Sequence, residues 1–316
     1  LTQPRFFPYL VLLAGVLVAA TSSILIRLAQ NEGAPSLVIA SWRLTIAALI
    51  LTPYAWRRRR GELRSLPPKD TFWGIVAGIF LAAHMATWIS SLAFTSVASS
   101  AALVTTNPLW VTLVVFLLFG ERPSRNTVIG LSAAITGSAL IAFSDGGVLV
   151  VEPAVQFNWH NLTAPVGQAD TALFGDGLAL VGAVTVSGYL LVGRTLRTRL
   201  STTAYVWLAY SAAMVTLVIV TLLAGVPLFG YPWTAYGWIL LLALGPQLLG
   251  HTAFNWALAH LSTTFVALSI LGEPVGSAIF AYFIFGEAFV PVQLAGFVLL
   301  LVGIGLGVLG EQQTQN

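Results

Sequence analysis

The chain's 316 residues are 57% hydrophobic and 8% charged, against roughly 25% charged in an ordinary soluble domain, so a water-soluble globule is excluded. Cysteine is absent, which removes disulfide frameworks and thiolate metal sites. The net charge of +3 comes from basic residues gathered between apolar runs, a distribution that orients membrane helices and does not point to nucleic acid.

A membrane-crossing helix needs about 20 largely apolar residues, and such runs recur near 9–29, 36–56, 72–94, 97–119, 126–144, 174–193, 203–224, 234–256, 262–284 and 292–310. Very short joints, such as Thr95–Ser96, leave nine or eleven crossings open. The first run follows Arg5 without a convincing cleavage site and is expected to be a retained helix. Its Arg27 is expected as an anchor at the outer interface. The second run holds Arg43 within it, where the guanidinium either snorkels or offers a fixed cation to a substrate carboxylate. The connection that follows carries Arg57, Arg58, Arg59, Arg60, Arg64 and Lys69 and is expected to be cytoplasmic.

In the third run His84 and Trp88 are one turn apart and share a face, which suits a proton carrier beside a ring-stacking wall or a packed core pair. The fourth run is interrupted by Asn107-Pro108, with Trp110 on the Asn107 face. The fifth carries Gly130 and Gly137 and no ionisable residue within it, as close helix packing requires. Residues 146–173 contain no Lys or Arg and are expected to lie on the extracytoplasmic side.

Beyond that connection, Arg194, Arg197 and Arg199 mark the cytoplasmic end of the sixth run. His251 and Asn255 lie at a depth in the eighth run similar to that of His84. Glu273, followed by Pro274, is the one acid far from the end of a run, and an ionisable group at membrane depth is a functional candidate by default. The tenth run repeats the glycine pattern with Gly296 and Gly303, and 311–316 form a short tail. Ten crossings put both termini in the cytoplasm, with every basic residue except Arg27 and Arg43 on that side.

One constant offset superposes the two halves. It lays Leu92, Ala93 and Ser96 on Leu258, Ala259 and Ser262, Pro108 on Pro274, Phe119-Gly120-Glu121 on Phe285-Gly286-Glu287, Gly130 on Gly296 and Gly137 on Gly303. Two copies of a five-helix unit, 1–145 and 174–310, enter the membrane in opposite senses. The expected fold is therefore an all-α integral membrane protein with ten transmembrane helices in two inverted five-helix repeats. Two proline breaks then meet near the same depth, where exposed backbone groups and helix dipoles build substrate sites.

These residues resemble the EamA-type proteins of the drug/metabolite transporter superfamily. The stretch HMATWISSLAFTSVASSAALVTTNPLW at 84–110, with the long 145–173 connection, is most similar to the YddG-type bacterial amino acid exporters. The resemblance implies an inner-membrane exporter of amino acids, especially aromatic ones, with no cofactor. It adds a substrate to the expected site of Arg43, His84, Trp88, Asn107, Trp110, His251, Asn255 and Glu273, with Pro108 and Pro274 as the helix breaks. Trp88 and Trp110 then serve as apolar walls, and Asn107 with Glu273 fixes the polar end.

The residues themselves leave a channel, an intramembrane enzyme, a noncatalytic membrane adaptor and a carrier of another metabolite or drug open beside this reading. They contain no GxxxxGK[ST] loop for an ATP-driven pump, no HExxH and no cysteine–histidine pair. Oligomeric state is not encoded in any of these patterns.

Overall fold

Phe7–Asn31 (α1) ends on Gly33, whose positive φ of 84° turns the chain into Ser36–Arg64 (α2). The structure, a computed structural model, describes residues 6–120, 124–145, 172–257, 260–261, 269–270, 272–288 and 290–315. The long 146–171 connection and Glu121 of the first FGE triplet lie outside these residues.

The helix α2 runs further than its apolar stretch. Arg57–Arg60, expected as a loop, continue the helix, with one non-helical residue at Arg59. Arginine is a good helix former and no breaker intervenes before Gly61. Pro68–Ser91 (α3) starts on a proline in its first turn, with Asp70 placed to face the helix dipole.

The fourth crossing is two helices, Val97–Val104 (α4) and Asn107–Phe119 (α5). At the break the hydroxyls of Thr105 and Thr106 donate back to the carbonyls of Ala102 and Leu103, at 2.8 and 2.7 Å. They compete with the backbone where Pro108 has no N–H to give. Arg125–Asp145 (α6) completes the first half.

The second half holds Ala172–Leu196 (α7), Thr202–Leu223 (α8) and Trp233–Leu242 (α9). A π-helical stretch, Ala243–Gly250, contains Pro246 and continues α9 into His251–Ala257 (α10). Gly272–Phe285 (α11) and Pro291–Gln315 (α12) follow. The helix α12 extends through most of the stretch expected as a tail. Among the described residues there is no strand, and the helices follow one another in the order of the ten apolar runs. Seven of these are individually long and apolar enough to span a bilayer. Large apolar side chains such as Leu13, Ile79, Leu117 and Phe283 stay exposed, as lipid-facing residues must.

The inverted symmetry shows in how the halves pack. The first crossing lies against the eighth and the third against the sixth, one pairing with the halves exchanged. The clearest case is α6 on α12. A methyl built on Gly137 would lie 2.6 Å from the Gly296 carbonyl oxygen, and one on Gly303 would lie 2.6 Å from that of Gly130. Each glycine thus meets the repeat equivalent of its partner, as a two-fold axis between the helices demands. Gly120 and Gly286 play matching parts as well. Each ends its helix at φ 70°, which explains the FG of both triplets.

One end of the bundle collects the basic connections. There Glu62 accepts from the Ser201 backbone N–H at 2.6 Å and from its hydroxyl at 2.7 Å, and Arg199 pairs with Asp70 at 3.2 Å.

Candidate functional site

Between the halves lies a cavity of about 750 Å³. The helices α3 and α5 reach it from the first repeat, and α7, α8, the π-helical stretch, α10 and α11 from the second. It extends to the exposed Arg194 and Arg197, so it opens toward the end that carries the basic connections.

Away from that mouth, polar contacts join the first crossing to the fourth and both to the second half. Arg27 donates to the Thr95 carbonyl at 2.7 Å and lies 3.7 Å from Glu287. The Glu287 carboxylate accepts the Val97 N–H at 3.0 Å, capping α4, and the Thr95 hydroxyl donates to Asp176 at 2.7 Å. Arg27, expected to anchor at the interface, is instead fixed in protein, because this acid and this carbonyl are within its reach.

Of the residues expected from sequence, His84, Asn107 and Glu273 line the cavity. Asn107 and Glu273 both occupy the first turn of a helix, α5 and α11, as the repeat requires. The Asn107 carbonyl accepts from Ser187 on α7 at 3.0 Å, so the break is held from the other half. His84 Nδ1 is 2.9 Å from the Gly182 carbonyl, which can only accept, so that nitrogen carries a proton.

Arg43 and Trp88 stand one layer behind the cavity. Arg43 is only 2% exposed and does not snorkel. Its Nε donates to Gln247 Oε1 at 2.7 Å and its Nη1 to Ser22 Oγ at 3.2 Å, while its guanidinium carbon lies 5.6 Å from the Trp88 ring centroid. Trp88 also stacks on His84 at 5.7 Å and 16° between planes. The indole thus touches both Arg43 and His84 and is not among the described lining residues.

Trp110, also expected as a wall, is not among the described lining residues. Its indole N–H donates to Thr106 Oγ1 at 3.1 Å, which turns it toward the helix break. The π-helical stretch leads into His251 and Asn255 on α10, whose side chains lie outside the described residues.

The apolar walls come instead from residues that sequence reasoning passed over. Tyr189 and Tyr205 stack at 5.7 Å and 22°, with the Tyr205 hydroxyl donating to the Tyr189 carbonyl at 3.1 Å, and Tyr210 lies deeper. Gly193 makes room, since a methyl there would lie 2.6 Å from the Tyr205 hydroxyl. Gln247 lines the floor with Glu273. Being uncharged, it escaped a search for ionisable groups, although Pro246-Gln247 inside an apolar run is a legible signal.

The floor thus presents the Glu273 carboxyl group, with Arg43 directly behind it on Gln247. Among the described residues neither Arg43 nor Glu273 takes part in an ion pair.

Comparison with known proteins agrees with this architecture. The EamA-like transporter family profile matches twice, over residues 6–143 and 173–309. Two WAT1-related proteins of Arabidopsis thaliana are each 26% identical, over 203 and 198 residues. Each alignment covers 60% of this chain and 54% or 53% of the relative, so the chain spans about half the length of the curated relatives it matches. A protein crystal structure superposes with a TM-score of 0.59 at 17% identity, covering 99% of this chain and 100% of that one, which is a likeness of fold alone. Duplicated family matches over two inverted halves enclosing a shared cavity establish that the chain belongs to the EamA-like transporter family.

Proposed function

We propose that this transporter exports zwitterionic amino acids, aromatic ones among them, across the bacterial inner membrane by alternating access. One observation carries the reading: a buried cation, Arg43, and a half-buried carboxyl group, Glu273, stand at the floor of one cavity and, among the described residues, form no ion pair. Burying an unpaired charge costs several kcal/mol, and an α-amino acid supplies both missing partners at once. Its carboxylate goes to Arg43 and its ammonium to Glu273, which otherwise serves a proton. Tyr189, Tyr205 and His84 offer ring faces to an aromatic side chain, and such contacts contribute about 0.5–1.5 kcal/mol beyond burial.

The test is ligand-induced thermal stabilisation of the purified protein by an aromatic amino acid, the corresponding amine and the corresponding carboxylic acid. At about 100 times its dissociation constant the zwitterion adds roughly 2.7 kcal/mol, and both single-charge analogues stabilise much less. Equal stabilisation by the amine removes Arg43 from the site. Arg194 and Arg197 at the mouth favour a second reading, an organic anion as cargo, and strongest stabilisation by the acid would select it.

Orientation belongs to the same proposal. The basic segments 57–69 and 194–199 share one end of the bundle, and the positive-inside rule makes that end cytoplasmic. Single cysteines at 61 and 160 in this cysteine-free chain test it with an impermeant thiol reagent on intact cells. Labelling is expected at 160 and not at 61, and equal labelling contradicts the ten-crossing orientation.

A further inference from the structure

The floor of the cavity is asymmetric. The repeat offset pairs Leu81 with Gln247, and both line the cavity. One half therefore presents an alkyl group where the other presents an amide. Leu81 sits in the uninterrupted α3, whereas Gln247 sits in the π-helical stretch directly after Pro246. A proline in a wide-turn segment removes a backbone donor and loosens the ladder around it, and such segments occur disproportionately at functional sites.

Gln247 is 2% exposed and its carbonyl oxygen takes the Arg43 Nε–H at 2.7 Å. Arg43 Nη1 donates to the neutral Ser22 hydroxyl at 3.2 Å. A guanidinium satisfied by neutral oxygens keeps its full charge uncompensated, and a carboxylate oxygen in the same place makes a shorter and stronger bond.

We infer that Gln247 is a specificity-determining residue whose amide stands in for a substrate carboxylate at Arg43 in the empty cavity and is displaced by it on binding. This rests on the reading of Arg43 as the carboxylate partner. Its consequence is selective: a solute without a carboxylate leaves the Arg43–Gln247 bond intact and meets only Glu273 and the tyrosines. Discrimination between a carboxylate-bearing solute and its amine analogue is then set at residue 247.

The experiment measures binding of an aromatic amino acid and its amine analogue to purified full-length protein carrying Gln247→Glu, Gln247→Ala or Arg43→Gln. Gln247→Glu gives Arg43 a permanent carboxylate of almost unchanged shape. Amino acid affinity is expected to fall at least tenfold, with amine affinity unchanged or raised. Gln247→Ala removes the stand-in, and amino acid affinity is expected to rise several-fold. Should Gln247→Glu fail to fold, Gln247→Ala decides alone: a rise supports the inference, and an unchanged or lowered affinity overturns it.

An unchanged amino acid to amine ratio in Gln247→Glu also overturns it. Arg43→Gln separates the two levels. If it leaves the ratio unchanged, the Arg43 reading itself fails. If it abolishes the preference while Gln247→Glu does not, only the role of Gln247 falls.

Discussion

Arg43→Gln and Glu273→Gln are each expected to weaken binding of a zwitterionic amino acid by roughly 2 kcal/mol or more, about 30-fold, while the protein remains folded. The basis is a buried cation, Arg43, and a half-buried carboxyl group, Glu273, that form no ion pair with each other. The two losses differ in kind: Arg43→Gln removes the preference for a carboxylate, and Glu273→Gln the preference for an ammonium. Because one ligand bridges both groups, the double variant is expected to lose less than the sum of the single losses. Titration calorimetry on the four proteins reads this directly. Strict additivity, or wild-type affinity in either single variant, means that the ligand does not span the two charges.

Gly137→Leu is expected to destabilise the protein by about 3 kcal/mol or more, toward the upper end of what overpacking costs. The atoms in its way are the Gly296 carbonyl oxygen and the Leu300 backbone nitrogen, each 2.6 Å from a built methyl. Backbone on a facing helix cannot rotate aside as a side chain does. Gly177→Leu is the control, since nothing lies within 4 Å of a methyl there. Thermal unfolding in detergent should show a large loss for the first and almost none for the second. A stable Gly137→Leu protein would mean that α6 and α12 do not pack as described.

The fold was legible because membranes reduce it to few rules. Apolar runs fix the crossings, and aligned prolines and glycines at one offset fix the repeat. Even the reciprocal contact of Gly130 with Gly303 and Gly137 with Gly296 follows once inversion is assumed. The Arg57–Arg60 stretch was misjudged because charge marks where the bilayer ends and not where a helix ends.

The cavity lining was legible where charge or a proline break announced it, as at Glu273 and Asn107. Depth along a helix says little about which layer a side chain occupies. Trp88 and Trp110 were placed at a plausible level, yet one is stacked on His84 and the other bonds Thr106. Tyr189, Tyr205 and Gln247 carry no charge and sit in the second half away from the proline pair, so pattern reading passed over the walls and part of the floor.

The central claim is that a small zwitterion crosses the membrane through the cavity between the two repeats. Its most direct test is the flux of a labelled aromatic amino acid into liposomes containing the purified protein, with and without unlabelled amino acid on the opposite side. The account predicts saturable flux that is accelerated by solute on the far side. Flux that grows linearly with concentration and ignores the far side would contradict it in favour of a channel, and binding without flux would contradict it in favour of an adaptor.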